Sequence, residues 1–144
     1  MTYLGNKFYI STNQQINFFA KKQLFPNSHY LEELGAELVY FSPLSDNHLP
    51  DNIDGIYLGG GFPEVYASEL SSNINILSKI KSYAENSMPI YAECGGLIYL
   101  GKNINKYETD KFYTVVGVFD IEASFTGKLV LSYVTGKLTN NCLI

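Results

Sequence analysis

Residues 89–96, which read Pro-Ile-Tyr-Ala-Glu-Cys-Gly-Gly, carry the clearest indication of fold and chemistry in this chain. The apolar part up to Ala92 predicts a strand, and the glycines after Cys94 predict the start of a helix. A sharp strand-to-helix turn exposes the residue at its apex and requires small flanking residues. Ala92 and Gly96, each two positions from Cys94, meet that requirement. The stretch therefore predicts a nucleophile elbow, with Cys94 as the candidate catalytic residue.

Cys94 is suited to nucleophilic chemistry if that turn forms. A helix N-terminus favours a thiolate over a thiol. The backbone N–H of Gly95 would then point toward a developing oxyanion. The alternative is that Cys94 is an inert core residue, which a lone cysteine in an apolar setting more often is. Cys142 lies in a polar tail and is expected to be a bystander, since the two cysteines form no CxxC pattern.

A triple glycine, Gly59-Gly60-Gly61, follows another predicted strand, Ile53–Leu58. Ligands of open α/β sheets bind beyond the carboxyl ends of the strands, so this segment and Cys94 are expected at one edge. Glycines there allow close backbone approach and could supply a second oxyanion N–H from Gly60 or Gly61. A phosphate could also bind there, but neither GxxxxGK[ST] nor GxGxxG is present.

Strands alternate with helices over the first two-thirds of the chain, which predicts βαβ units and a mostly parallel sheet with helices on both faces. The last third is rich in strands and predicts a mixed extension. The expected strands are Lys7–Ser11, Glu37–Phe41, Ile53–Leu58, Pro89–Ala92, Phe112–Phe119 and Leu129–Val134. The expected helices end at Gly35, run from Pro63 through Leu70, begin with Ser71 or Ser72 as a cap, and run from Gly95 to Leu100.

The composition sets limits on class and partners. A chain of 144 residues suits one domain, and a net charge of -4 without a basic patch or zinc-finger spacing predicts neither nucleic acid nor metal as a partner. No leader pattern or bilayer-length apolar run appears, so no membrane partner is expected and the cytoplasm is the expected compartment. Only 17% of residues are charged, while 12 are Tyr and 9 are Phe. This suggests a surface buried against another domain, or drift in composition.

Three segments resemble one known family. They are residues 34–44 (LGAELVYFSPL), 54–64 (DGIYLGGGFPE) and 89–100 (PIYAECGGLIYL). They closely resemble the amidotransferase domain of the cobyrinic acid a,c-diamide synthase family, a class I, triad-type glutamine amidotransferase. Residues 116–118 and 125–133 are also similar, so the resemblance covers nearly the whole chain. GGGFPE and AECGG together are highly specific. The resemblance implies a three-layer, flavodoxin-like α/β fold.

The resemblance also implies an activity. Cys94 would attack the side-chain amide of glutamine and form a γ-glutamyl thioester, with N–H groups of Gly95 and of the Gly60-Gly61 turn as the oxyanion site. The released ammonia would serve an ATP-dependent amidation of corrinoid carboxylates in cobalamin biosynthesis. No cofactor is expected in this chain, since ATP and Mg²⁺ belong to the synthetase domain of the family. A sirohydrochlorin a,c-diamide synthase is a close alternative, and cobyric acid synthase fits GGGFPE less well.

Two departures from the family pattern shape the remaining expectations. The family's catalytic histidine follows the cysteine, whereas His29 and His48 both precede Cys94. In the family a synthetase half precedes the first strand, whereas this sequence reaches its first predicted strand at Lys7. Residues 1–144 are therefore expected to be a partial amidotransferase domain that lacks the synthetase domain and the His-bearing segment, and to be inactive alone. Three origins stay open, namely a gene fragment, a piece of a larger protein, and a half-domain completed by a partner chain.

Two other functions also stay open. A non-catalytic pseudo-amidotransferase module would serve as an interaction domain. A cysteine hydrolase of the same flavodoxin-like superfamily would use an elbow cysteine with a downstream histidine, so the missing histidine counts against it as well.

Overall fold

The computed structural model describes residues 7–11, 26–49, 51–106, 109–125 and 135. The predicted strand Leu129–Val134 and Cys142 lie outside these residues. Among the described helices, none has both the length and the apolar character needed to cross a bilayer. The described part is a mixed α/β structure with one parallel and one mixed sheet.

The main sheet has four parallel strands in the order β2-β1-β3-β4. Apolar and aromatic residues dominate each strand, as the sequence predicts, although the third begins at Gly55 rather than Ile53. In the register of the last pair, Leu58 lies opposite Ala92, so both strands end at the same level. The strands are β1 (Lys7–Ser11), β2 (Glu37–Phe41), β3 (Gly55–Leu58) and β4 (Ile90–Ala92).

The helices follow the predicted order, with shifts at their boundaries. Gly35, at φ +88°, takes the conformation that favours glycine after a helix, and its N–H donates to the carbonyl of Glu32 at 2.9 Å. Pro63 lies in turns that precede a helix instead of in its first turn. The helices are α1 (Pro26–Glu33), α2 (Ala67–Ser72), α3 (Ile74–Glu85) and α4 (Gly95–Tyr99).

The N-cap of α3 is Asn73, and the prediction of Ser71 or Ser72 is wrong. Both serines are the last residues of α2. The Asn73 carboxamide accepts from the Ile76 amide at 3.5 Å. Its Nδ2 also donates to two carbonyls of the loop after β2, those of Pro43 at 2.7 Å and Asp46 at 2.8 Å. An amide side chain serves here because it has both a donor and an acceptor.

The C-terminal strands form a separate mixed sheet, which confirms the predicted mixed extension. The strands are β5 (Asn103–Asn105), β6 (Phe112–Thr114) and β7 (Glu122–Ala123), in the order β6-β5-β7. β5 pairs antiparallel with β6 and parallel with β7.

The predicted strand Phe112–Phe119 ends early, at Thr114. Beyond it, the Val116 amide donates to the carbonyl of Tyr99 at 3.2 Å and the Val118 amide to that of Leu100 at 2.9 Å. This segment therefore leaves the sheet ladder because its amides bond with the end of α4.

One apolar cluster connects these elements. Ile56 and Leu58 of β3 pack with Ile76 and Ile80 of α3, and Ile104 of β5 belongs to the same cluster. All five side chains are fully buried or nearly so. Because Leu58 is anchored in this core, the chain leaves the core at a fixed point, directly before the triple glycine.

Candidate active site

Cys94 occupies the predicted turn between β4 and α4. Its backbone adopts φ 50° and ψ -118°, a conformation that residues with a side chain rarely take. Its carbonyl accepts from the amides of Leu97 at 3.1 Å and Ile98 at 3.2 Å, which starts the helix. The residue is exposed. The geometry is that of a nucleophile elbow, while the catalytic role of Cys94 stays a prediction.

The two glycines after Cys94 lie directly against the backbone of the triple-glycine segment. A Cβ on Gly95 would lie within 3.0 Å of the nitrogen, carbon and oxygen of Gly61. A Cβ on Gly96 would lie within 3.0 Å of the carbonyl oxygens of Leu58 and Gly59. The predicted meeting of the two segments at one sheet edge is therefore present, and it is a contact between backbones.

The triple-glycine segment also borders the thiol. The position that a Cβ of Gly60 would take is 3.6 Å from the Cβ and 3.9 Å from the Sγ of Cys94. Among the hydrogen bonds of the described residues, none is donated by the amides of Gly60, Gly61 or Gly95. Open amides beside an exposed thiol are the arrangement that a developing oxyanion needs. Whether these amides bind an oxyanion stays a prediction.

Glu93 has a partner that the sequence analysis missed. The hydroxyl of Tyr57, on β3, donates to Oε1 of Glu93 at 2.5 Å. The ring of Tyr57 stacks on Tyr91 with centroids 5.3 Å apart and planes at 20°. Tyr57 lies opposite Tyr91 in the parallel register, and Glu93 follows two residues later on the same face. The alternation of side chains along β4 could have indicated that Glu93 lies on the same face as Tyr57. That inference requires the register of β3 and β4.

Glu64 follows the glycine segment by three residues and is buried, with 8% of its surface exposed. Burial raises the pKa of its carboxyl, and a hydrogen bond from its own backbone partly opposes that rise. The structure gives no bond between Glu64 and Glu93 among the described residues.

The structure does not bring His48 to the Cys94 turn. His29 lies in α1. His48 is exposed in the loop after β2, where it lines a cleft with Leu49 and Lys79 that does not include the Cys94 turn. Within the described residues, no group of three His, Cys, Asp or Glu side chains could hold a metal ion.

A cavity of about 40 Å³ borders the elbow at Gly95 and Gly96. Tyr99 of α4 lines it, and the Tyr99 hydroxyl is buried with no hydrogen-bond partner among the described residues. Burial raises the pKa of this hydroxyl above its usual range. The remaining lining comes from the two glycine segments and from apolar residues: Pro43, Leu44, Leu58, Gly59, Gly60, Gly61, Phe62, Pro63, Leu70, Gly95 and Gly96.

The fold and this turn define the class of protein, an α/β domain with a cysteine elbow at the carboxyl edge of a parallel sheet. The family model described as the CobB/CobQ-like glutamine amidotransferase domain matches residues 8–142. The chain belongs to that family. The resemblance that the two glycine motifs indicate is thereby confirmed.

Several relatives carry the name cobyrinate a,c-diamide synthase. The chain is 47% identical to the protein of that name from Caldanaerobacter subterraneus subsp. tengcongensis over 128 residues, which are 88% of this chain and 27% of the relative. It is 42% identical to the one from Limosilactobacillus reuteri over 120 residues, 83% of this chain and 25% of the relative. It is 39% identical to the one from Methanosarcina acetivorans over 146 aligned residues, which cover 94% of this chain and 28% of the relative. The chain thus spans about a quarter of the length of these relatives.

Proposed function

We propose that this chain is the glutaminase part of a cobyrinate a,c-diamide synthase, which releases ammonia from glutamine for the ATP-dependent amidation of corrinoid side-chain carboxylates. The observation that carries the proposal is the exposed Cys94 on its strained turn, bordered by Gly60 of a glycine segment whose Gly60 and Gly61 amides donate no hydrogen bond within the described part of the chain. The names of the relatives support the corrinoid substrate over the tetrapyrrole alternative, sirohydrochlorin.

The reaction runs through a covalent intermediate. The Cys94 thiolate attacks the side-chain carbonyl carbon of glutamine, and the carbonyl oxygen becomes an oxyanion held by the Gly95 amide and an amide of the Gly60-Gly61 turn. The carbon–nitrogen bond then breaks, and the leaving nitrogen takes the proton that a base has removed from the thiol, so that it departs as ammonia. Water hydrolyses the γ-glutamyl thioester, which releases glutamate and regenerates the thiol.

The proton transfers need a base near the thiol, and we assign this role to a histidine outside residues 1–144. A base must come within hydrogen-bond reach of the group it deprotonates. His48 is exposed in a different cleft, and the family pattern places the histidine after the cysteine. The histidine then comes from a further segment of the protein or from a partner chain.

The same proposal covers the fold and the remaining partners. The parallel sheet and its helices fit a three-layer, flavodoxin-like arrangement, which is the finer description that we propose for the domain. ATP, Mg²⁺ and the corrinoid are assigned to the synthetase part of the enzyme, and glutamine is the one substrate assigned to this chain.

Labelling with 6-diazo-5-oxo-norleucine tests the glutaminase proposal. This reactive glutamine analogue should add one adduct to Cys94 when the chain is mixed with the synthetase part and the His-bearing segment of a relative. Peptide mass spectrometry locates the adduct. Cys94→Ser should abolish the label, and Cys142→Ser should leave it unchanged. Absence of the Cys94 adduct in a folded, complete mixture would overturn the proposal.

A second candidate is a pseudo-amidotransferase module without catalysis. The observation that favours it is that, among the described side chains, His48 lies exposed in a cleft that does not include the Cys94 turn. It predicts a stably folded chain whose glutamine hydrolysis equals that of Cys94→Ala under every condition, including the complemented mixture. Hydrolysis above that background would exclude it.

A further inference from the structure

We propose that Tyr57 is a positioning residue for Cys94 that acts through the carboxylate of Glu93. The inference rests on the proposed function, in which Cys94 is the nucleophile. Tyr57 does not adjoin Cys94 in the sequence and lies on the neighbouring strand. Its hydroxyl donates to Oε1 of Glu93 at 2.5 Å, and Glu93 is the residue directly before Cys94.

The side chain of Tyr57 is buried and stacked. Tyr57 has 6% of its surface exposed, and its strand β3 pairs with β1 on one side and β4 on the other. Its ring stacks on Tyr91 across the ladder. A side chain fixed in this way gives the hydrogen bond a well-defined direction, because little rotamer freedom remains to be lost.

Glu93 is tied to its surroundings at three points. Its amide donates to the carbonyl of Leu58 at 3.0 Å, and its own carbonyl accepts from the Gly96 amide at 2.9 Å. The bond from Tyr57 fixes the side chain as well. The residue that leads into the strained turn is therefore held from β3 and from α4, which directs the chain into the conformation that exposes the thiol.

The bond also has an electrostatic consequence. A carboxylate next to a thiol disfavours the thiolate, and a hydroxyl donating to that carboxylate reduces its effective charge. Among the described residues, Tyr91 of β4 and Tyr99 of α4 are titratable side chains on the two elements that flank the turn, and the segment 59–61, whose Gly60 borders the thiol, consists of glycines. Tyr57 thus fixes the position of the Glu93 carboxylate and donates a hydrogen bond to it.

The pH profile of Cys94 alkylation tests the inference in the intact chain. Iodoacetamide is the probe, and peptide mass spectrometry separates Cys94 from Cys142. Tyr57→Phe should move the profile of Cys94 to higher pH by about half a unit, a loss of about three-fold in rate at fixed pH. Glu93→Gln should move it to lower pH, since the charge is removed while an acceptor for Tyr57 remains.

The control variant is Tyr91→Phe, which removes a hydroxyl from the stacked ring and leaves the Tyr57–Glu93 bond in place. It should leave the profile unchanged. In the Glu93→Gln background, Tyr57→Phe should have no further effect on the profile. A purely structural role would instead lower the thermal midpoint of the variants without moving the profile.

The inference is overturned if the alkylation profile of folded Tyr57→Phe does not move. It is also overturned if Tyr57→Phe shifts the profile by the same amount with and without Glu93→Gln. If Tyr57→Phe does not fold, the Glu93→Gln variant decides. The inference is then overturned if the alkylation profile of Glu93→Gln does not move to lower pH. The readout uses no glutamine, so it separates the two proposals. Shifted profiles without an analogue adduct would refute the glutaminase function and retain the positioning role, while an adduct with unmoved profiles would do the reverse.

Discussion

Glu64 and Glu69 are two carboxylates that the same short stretch of chain places in opposite environments. Glu64 is buried, and burial raises the pKa of its carboxyl. Glu69 is exposed in the first turn of α2, where the hydrogen bond from the Ser68 hydroxyl lowers the pKa of its carboxyl. The sequence shows two similar residues, and the difference arises only from packing.

Glu64→Gln should stabilise the protein near neutral pH. Because the pKa of Glu64 is raised in the folded state, its contribution to the free energy of unfolding is fully present below about pH 4.5, the usual pKa of the group. That contribution is lost as the pH rises through the folded-state pKa. The gain in unfolding free energy of Glu64→Gln over the natural chain should therefore grow from pH 4 to pH 7. Urea denaturation at a series of pH values measures it.

Glu69→Gln is the matched control and should behave oppositely. A lowered pKa contributes stability that is present above the usual value and is lost as the pH falls through the folded-state pKa. Glu69→Gln should thus be the less stable chain near neutral pH, with a difference that disappears on acidification. The exposure of Glu69 keeps the effect small. A gain for Glu64→Gln that did not vary with pH would contradict the assignment to ionisation.

At the scale of elements, the boundary between α2 and α3 depends on one side chain. Asn73 caps α3 and also holds the loop after β2 through two carbonyls, those of Pro43 and Asp46. The sequence predicts a cap at this place but assigns it to a serine, because the loop that the asparagine contacts is about 30 residues away in the sequence.

Asn73→Ala should lower the unfolding free energy by about 2–3 kcal/mol, which combines a lost cap with two lost hydrogen bonds. Asn73→Ser retains a capping hydroxyl and loses the two loop contacts, so it should cost about 1–2 kcal/mol. Chemical denaturation gives both values. Ser78→Ala, on the exposed face of α3, should stay within about 0.5 kcal/mol and serves as the control. Equal stability of the Asn73→Ala and Ser78→Ala variants would refute the role of Asn73.

At the scale of the whole molecule, the candidate site depends on the contact between two distant glycine segments. Residues 59–61 end β3, and Gly95 and Gly96 begin α4. The parallel register that aligns Leu58 with Ala92 brings both segments to one level. Gly96 then lies so close to the Leu58 carbonyl that no side chain fits between them.

Gly96→Ala should lower the unfolding free energy by about 2–3 kcal/mol, because its Cβ would meet the backbone oxygens of Leu58 and Gly59, which cannot move without disturbing β3. Gly60→Ala is the matched control. Its Cβ would make an ordinary contact of 3.6 Å with Cys94, so its effect on stability should be about 1 kcal/mol or less. Thermal unfolding of the two variants measures both effects, and equal losses would contradict the close contact.

The sequence predicts most of the framework at this scale. Strands β1 to β4 are short apolar runs, and the elbow at Cys94 follows from the small residues around it. The strands Asn103–Asn105 and Glu122–Ala123 were not predicted, since two or three residues are too few to show alternation. The Tyr57–Glu93 bond was missed for another reason, because it depends on a register that no single strand contains.

The backbone of Cys94 has a consequence for how this residue persists. A side chain at φ 50° and ψ -118° costs on the order of 1–3 kcal/mol, which glycine would not incur. Folding alone therefore favours replacement of the cysteine. A lineage that no longer used the thiol would gain stability by a single substitution at this codon. Selection for folding therefore acts against the cysteine, and only selection for its chemistry retains it.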